Sequence, residues 1–145
     1  MTLYVDADAC PVKDEIVRVA ERREVAVVLV SNRGFRTGGH PLLRSVMVEP
    51  GPDEADKWIA AHIAAGDVCV TSDIPLAARC VEQGATAISP TGRVFDADSA
   101  GLALATRDLM TTLRETGEIA GGGQRPFSQK DRSRFLDALD ALLRG

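Results

Sequence analysis

The chain has 145 residues, of which 45% are hydrophobic and 26% are charged, as is typical of one globular domain with a full core. Its 17 Lys and Arg residues against 21 Asp and Glu residues give a net charge of −4. A surface that is basic all over is therefore excluded, and any polyanion-binding patch has to be local. With only 4% aromatic residues, stacking of nucleobases on an aromatic platform is not expected as the main mode of binding.

The N-terminal part alternates short apolar runs with amphipathic stretches. The runs at 3–5, 25–30, 45–48, 68–71 and 85–89 predict strands, and the stretches that begin at Pro11, Asp53 and Ile74 predict helices. Pro11 suits the first helical position because its φ is fixed and its missing N–H is not needed there. Alternation of this kind predicts an α/β fold with a central parallel sheet of four to five strands and helices on both faces.

The C-terminal part differs, since it contains no further strand pattern. Leu102, Ala105, Leu109 and Leu113 recur at helical spacing and predict a helix over 99–115. A loop follows at 121–126, and Ser128 with Asp131 resembles the capping box that opens a last helix. We expect these two helices to form a cover on a single domain that spans residues 1–145.

The three cysteines and the first apolar run bear on location. Cys10, Cys69 and Cys80 lack CxxC spacing, which is typical of a reducing cytosol. Asp6 interrupts the N-terminal apolar run, so no signal peptide is predicted. No stretch approaches the roughly 20 apolar residues of a membrane helix. We therefore expect a cytoplasmic protein that does not contact a membrane.

Five carboxylates are predicted to gather at one edge of the sheet. Asp6 and Asp73 follow the first and fourth strands, and parallel strands end at the same edge. Asp8 is two residues after Asp6, so in an extended segment both side chains point the same way. Asp53 and Asp56 share one face of the first turn of the second helix. The alternative is that Asp8, Asp53 and Asp73 only cap helices and Asp6 is a loop residue.

Such a cluster of acids needs a counter-ion. Two carboxylates about 4 Å apart repel by roughly 4 kcal/mol at an effective dielectric constant near 20. Oxygen ligands without His or Cys at metal-site spacing select Mg²⁺ or Mn²⁺ over Zn²⁺. A divalent cation held by carboxylates commonly acts on phosphates. The acids therefore predict phosphodiester or phosphate-ester chemistry.

Basic residues that could contact phosphates lie in two segments. Residues 32–44 contain three arginines and His40 but no acid, and residues 128–134 add Lys130, Arg132 and Arg134. A mobile basic segment beside an acidic pocket suits the binding of a polyanion at a metal site. The alternative is a solvated surface loop. The predicted phosphate-binding set is Asn32, Arg33, Arg36, Arg44, Lys130 and Arg132.

Several long motifs carry a resemblance to a known family. They are residues 4–13 (YVDADACPVK), 53–59 (DEADKWI), 66–77 (GDVCVTSDIPLA) and 122–127 (GGQRPF), with Asp131, Arg132 and Phe135. Together they resemble the YaiI/YqxD family of uncharacterised bacterial proteins. That family is grouped with PIN-like domains, a nuclease fold with a parallel sheet and a ring of acids at its carboxyl edge. The resemblance implies a PIN-like three-layer α/β/α domain.

The same resemblance implies roles for the acids. Asp6, Asp56 and Asp73 match PIN acidic positions, with Asp8 and Asp53 as accessory residues. PIN nucleases usually carry a Glu in the second helix, where this chain has Asp56, and this shorter side chain leaves the number of metal ions open. The predicted catalytic residues are Asp6, Asp8, Asp56 and Asp73, and Asp53 is added to them as a fifth metal ligand.

We therefore expect a Mg²⁺- or Mn²⁺-dependent nuclease that hydrolyses RNA, rather than DNA, or another phosphodiester through a metal-activated water. One alternative is a phosphatase similar to the haloacid dehalogenases, with Asp6 and Asp8 as nucleophile and acid. Cys10 stands against it, because that class favours Thr or Val there. The other alternative is a non-catalytic RNA-binding or scaffold module of the same fold. A receiver domain is disfavoured because no lysine lies between Lys57 and Lys130.

Overall fold

The structure is a computed structural model that describes residues 1–116 and 126–144. The predicted loop at 121–126 therefore lies outside the described residues except for its last position, Pro126. The strands are β1 (Thr2–Asp6), β2 (Ala26–Ser31), β3 (Leu43–Met47), β4 (Val68–Val70), β5 (Thr86–Ile88) and β6 (Val94–Phe95). The helices are α1 (Lys13–Arg23), α2 (Glu54–His62), α3 (Ile74–Glu82), α4 (Ala97–Glu115) and α5 (Gln129–Leu143).

These strands form one mostly parallel sheet in the order β3-β2-β1-β4-β5-β6. Strands β1 to β5 are parallel, which confirms the predicted α/β class, and β6 is antiparallel to β5. The prediction of four to five strands was wrong in missing β6. This strand has two residues and follows a tight turn, so it is too short to show a periodic pattern.

Alternate residues of the strands feed two buried clusters, one on each face of the sheet. On the first face, α1 and α5 cover Leu3, Val5, Val27 and Leu29. On the second face, α2, α3 and α4 cover Val28, Val30, Cys69 and Ala87. Cys10, Cys69 and Cys80 are free and buried. Helices therefore lie on both faces, and the unbroken apolar runs of β2 and β4 follow from burial on both sides.

The two C-terminal helices cover opposite faces of the sheet. On α5, Asp140 accepts hydrogen bonds from Arg23 Nε at 3.0 Å and Arg23 Nη2 at 2.9 Å. These bonds lower the pKa of Asp140 to about 2. The capping box of Ser128 and Asp131 at the start of α5 is confirmed.

Within residues 1–116 and 126–144, no helix is long and apolar enough to cross a membrane.

Helix α4 does not pack on the rest of the protein through the leucines whose spacing predicted it. The helix itself is confirmed, but Leu102 is 68% exposed and Leu109 is 59% exposed. Ala100 and Ala103 are buried in the cluster that α3 also contributes to. Small side chains at these two positions let the two helix backbones approach closely. In the C-terminal half of α4, residues 105–110, 112, 114 and 115 are exposed.

Strands β1 and β4 are neighbours at the point where the direction of winding reverses. β1 pairs with β2 on one side and with β4 on the other. The helix after β1 lies on the first face, and the helix after β4 lies on the second. A reversal of this kind leaves a crevice at the carboxyl ends of the two strands. Asp6 ends β1, and Thr71, Ser72 and Asp73 follow β4.

We predict that Gly92 cannot be replaced without loss of stability. A Cβ at this position would lie 2.8 Å from the carbonyl carbon of Arg134 and 3.0 Å from the amide nitrogen of Phe135, and φ is +92°. Both contacts are with the backbone of α5, which cannot move aside alone. Gly92→Ala should lower the free energy of unfolding by about 1–3 kcal/mol, measured by urea denaturation.

Gly101 in α4 is the matched control, because a Cβ there would meet no atom within 4 Å. Gly101→Ala should raise the free energy of unfolding by about 0.5–1 kcal/mol, since alanine loses less backbone entropy in a helix. A Gly92→Ala protein as stable as the wild type would contradict the packing of the β5–β6 turn on α5.

Candidate functional site

Asp6 is anchored by a threonine from the neighbouring strand end. Its Oδ2 accepts a hydrogen bond from Thr71 Oγ1 at 3.1 Å. Thr71 is buried, and its Oγ1 in turn accepts a hydrogen bond from the amide of Asp73 at 3.0 Å. Burial raises the pKa of Asp6, and the charges of Asp73 and Asp8 raise it further, while the bond from Thr71 lowers it. The ends of β1 and β4 are thus joined through one hydroxyl group.

Asp73 caps α3, as the capping alternative anticipated. Its Oδ1 accepts a hydrogen bond from the amide of Leu76 at 3.0 Å, and Pro75 occupies the first turn. The cap fixes the carboxylate at the edge of the sheet rather than turning it away. Capping and a place in the acidic cluster are therefore compatible for this residue.

Asp56 is the acid that the cluster affects most. Its pKa is raised to about 7, first by burial and then by the charge of Asp73. The charges of Asp6 and Asp53 act in the same direction. Asp53 occupies the N-cap position of α2 but makes no capping hydrogen bond. Side chains from β1, α2 and the start of α3 thus meet at one edge of the sheet.

Asp8 does not point the same way as Asp6 through an extended segment, and that expectation was wrong. Ala7–Ala9 form a turn of 3-10 helix, and α1 begins at Lys13 rather than at Pro11. Asp8 Oδ2 accepts a hydrogen bond from the amide of Asn32 at 3.0 Å, and Arg33 Nε lies 3.9 Å from Oδ1. Asp8 therefore ties the end of β1 to the end of β2.

The carboxylates at this edge can be compared with the ligands that a divalent cation requires. In the part of the chain that the structure describes, no group of three or more His, Cys, Asp or Glu side chains is already arranged as metal ligands. Mg²⁺, however, is usually bound by one or two carboxylates together with waters and substrate phosphates. The charges of Asp73 and Asp6 both act on Asp56, so this edge of the sheet offers the one or two carboxylates that such a site needs. One further oxygen, Asp8 Oδ1, is buried and accepts no hydrogen bond from the described residues.

The predicted basic residues are not brought to one place. Asn32 and Arg33 follow β2 at the same edge as the acids, and Arg36 is exposed in the segment before β3. Arg44 pairs in register with Val28, three positions before the end of β3 at Met47, so it lies away from that edge.

The basic residues of α5 have different surroundings. Lys130 is exposed in the first turn of that helix. Arg132 donates hydrogen bonds to the carbonyl of Pro11 at 2.7 Å and to Glu15 Oε1 at 3.3 Å, and its guanidinium lies 4.9 Å from the ring centre of Phe127. Arg132 therefore joins α5 to the start of α1.

Two open cavities beside Asp73 were not predicted from the sequence. The first has a volume of about 550 Å³, and its lining includes Asp73, Arg93, Arg107 and Arg114. The second has a volume of about 500 Å³ and is lined by Phe95, Phe127 and Pro90 among others. Arg93, Ser72 and Ile74 line both, so the two cavities adjoin. The seven-residue spacing of Arg107 and Arg114 places both on one side of a helix and was the available signal.

The comparisons with known proteins agree with the motifs. A family model described as "Uncharacterized BCR, YaiI/YqxD family" matches residues 4–145. The chain belongs to the YaiI/YqxD family. No solved structure matches the chain, so the PIN-like assignment within the α/β class stays a prediction.

Relatives of the YaiI/YqxD chain match over nearly its whole length. A UPF0178 protein of Parvibaculum lavamentivorans is 58% identical over 138 residues, which cover 95% of this chain and 90% of the relative. A UPF0178 protein of Rhodopseudomonas palustris (strain ATCC BAA-98 / CGA009) is 56% identical over 142 residues, 98% of this chain and 89% of the relative. One of Nitrobacter winogradskyi is 53% identical over 142 residues, 98% and 90% respectively.

The raised pKa of Asp56 predicts how stability depends on pH. The pKa is about 7 in the folded protein, against an ordinary value of 3.8. The unfolded chain therefore loses this proton at a lower pH than the folded protein does. Because of this group, the free energy of unfolding decreases as the pH rises from about 4 to about 7. Asp56→Asn removes the group. We expect Asp56→Asn to be as stable as the wild type at pH 4 and to have a higher urea midpoint than the wild type at pH 8, both measured in EDTA.

Asp14→Asn, at an exposed position of α1, measures what the loss of one surface carboxylate does by itself. If Asp56→Asn and Asp14→Asn gave the same difference from the wild type at pH 8, the repulsion around Asp56 would be disproved.

Proposed function

We propose that this protein is a Mg²⁺- or Mn²⁺-dependent phosphodiesterase that acts on nucleic acid, with RNA as the preferred substrate. The observation that carries the proposal is the meeting of Asp6, Asp56 and Asp73, from three separate elements, at the crevice between β1 and β4. Burial and neighbouring charges oppose the ionisation of Asp6 and Asp56. A divalent cation bound at this site would offset the repulsion and so account for the grouping of these carboxylates.

The three acids have different roles in binding the cation. The charges of Asp73 and Asp6 both act on Asp56, so we assign Asp56 and Asp73 as the carboxylate pair and Asp6 as the third ligand. A divalent cation bound there would polarise a phosphoryl oxygen and neutralise negative charge that develops during phosphodiester cleavage. The bond from Thr71 keeps Asp6 in place, and the α3 cap keeps Asp73 in place. Positions fixed before the substrate arrives reduce the cost of reorganisation.

Asp8 has a supporting role in this proposal. It holds the end of β2 through the amide of Asn32, and its charge adds to the field at Asp6. The buried Oδ1 of Asp8 retains a free acceptor site among the described residues. Asp53 makes no capping bond on α2 and adds a further negative charge beside Asp56. Both residues therefore strengthen cation binding without having to be direct ligands.

Mn²⁺ binding tests the site directly. We expect Asp6→Asn and Asp73→Asn each to weaken binding at least about tenfold in calorimetric titrations. Asparagine is a good N-cap, so Asp73→Asn keeps the start of α3 while it removes the charge. Asp137→Asn, at an exposed position of α5, is the control and should bind Mn²⁺ as the wild type does. Undiminished binding in both site variants would remove the proposed metal site.

Cleavage of single-stranded RNA tests the activity. We expect the wild type to degrade a short labelled RNA in the presence of Mn²⁺ or Mg²⁺, and Asp6→Asn to reduce the rate to background. A trapped aspartyl-phosphate on Asp6 would instead favour the phosphatase. RNA binding that survives in Asp6→Asn, with background breakdown in every protein, would favour the non-catalytic module.

A further inference from the structure

We propose that the groove beside Asp73 binds the phosphate chain of a single-stranded polynucleotide through Arg93, Arg107 and Arg114. This inference rests on the proposed function, because it places the substrate of the same site. The groove has a volume of about 550 Å³, and Asp73 is part of its lining. A chain that lies in the groove therefore leads directly to the acidic cluster.

One side of α4 forms a wall of this groove. Its lining residues on α4 are Ala103, Thr106, Arg107, Met110 and Arg114. Steps of three, four and seven residues place all five on one face of the helix. At 1.5 Å per residue the wall extends about 16 Å along the helix axis, and Arg107 and Arg114 are about 10 Å apart. Two arginines at this spacing can each contact a different phosphate of an extended chain.

The three arginines are available to a ligand. Among the described residues Arg107 pairs only with its neighbour Asp108 at 3.6 Å, and both side chains are at least half exposed, so this pair is weak. The guanidinium of Arg93 lies 4.9 Å from the ring centre of Phe95, which supports it without neutralising its charge. Arg114 is exposed and forms no ion pair with the described residues.

Of the arginines predicted from the sequence, Arg36 is exposed, but the other three have partners or lie elsewhere. Arg33 lies beside Asp8, and Arg132 is bonded to Pro11 and Glu15. Arg44 is placed away from the acidic edge of the sheet. The groove thus gathers three arginines next to Asp73, whereas the set predicted from the sequence leaves only Arg36 available to a ligand.

Charge distinguishes the groove from the rest of the surface. The whole chain carries −4, which repels a polyanion from most approaches. The groove lining holds three arginines and one acid, Asp73. The groove is therefore a local concentration of positive charge that adjoins Asp73. A protein with a net negative charge needs a local basic surface to bind nucleic acid, and this groove provides one.

Binding of a labelled oligonucleotide tests the groove. The full chain is titrated into fluorescein-labelled oligouridylate of about 12 nucleotides, in EDTA so that no cleavage occurs, and fluorescence anisotropy is followed. We expect Arg107→Gln/Arg114→Gln to weaken binding at least about tenfold and to reduce the slope of log K against log salt by about 2. Arg93→Gln should reduce that slope by about 1.

Arg18→Gln/Arg79→Gln is the matched control, since it removes the same charge at exposed positions that line neither cavity. It should bind the oligonucleotide as the wild type does. An effect as large as that of the groove variant would show that net charge alone is responsible and would overturn the proposal. Inorganic phosphate should compete poorly at equal phosphate concentration, and equal competition would contradict binding of a chain.

Two further results separate this proposal from the proposed function. Loss of binding in Arg33→Gln/Arg36→Gln, with none in the groove variant, would place the phosphates at the β2–β3 segment and overturn the groove while the proposed function stands. Because EDTA removes the cation from the assay, failure of the metal site would appear only in the Mn²⁺ titrations of Asp6→Asn and Asp73→Asn.

Discussion

The hydroxyl group of Thr71 is the contact on which the candidate site depends. It donates to Asp6 at the end of β1 and accepts from the amide of Asp73 after β4. Both strands end at the reversal of the winding, where a crevice forms at their carboxyl ends. A buried threonine that satisfies both partners holds two acids at a defined separation. Without this link, mutual repulsion would favour turning one of the side chains toward solvent.

The acidic cluster is a local cost that the rest of the fold offsets. Burial and neighbouring charges oppose the ionisation of Asp6 and Asp56. Stabilisation comes from elsewhere: apolar packing on both faces of the sheet, and the paired hydrogen bonds between Arg23 and Asp140 that join α1 to α5. Destabilising groups that persist together at a strand edge are typical of functional sites.

Several features could be predicted because local chemistry determines them. Continuous β-branched runs indicated β2 and β4, and Ser128 with Asp131 indicated the start of α5. The placement of Asp6 and Asp73 at one edge followed from strand order in a parallel sheet. The turn at Ala7–Ala9 was missed because the motif reads equally well as an extended segment, and only the bonds of Asp8 to the end of β2 show its direction.

The amino-acid sequence by itself determined the family, the α/β class and which acids follow which strands, since these depend on periodicity, capping and motif identity along the chain. Only the tertiary structure decided which charged residues become neighbours. Arg93 reaches the groove because β6 pairs back onto β5, and Arg107 and Arg114 reach it because alanines bring α4 against α3. Such proximity arises from long-range packing, which leaves no periodic pattern in the residues themselves.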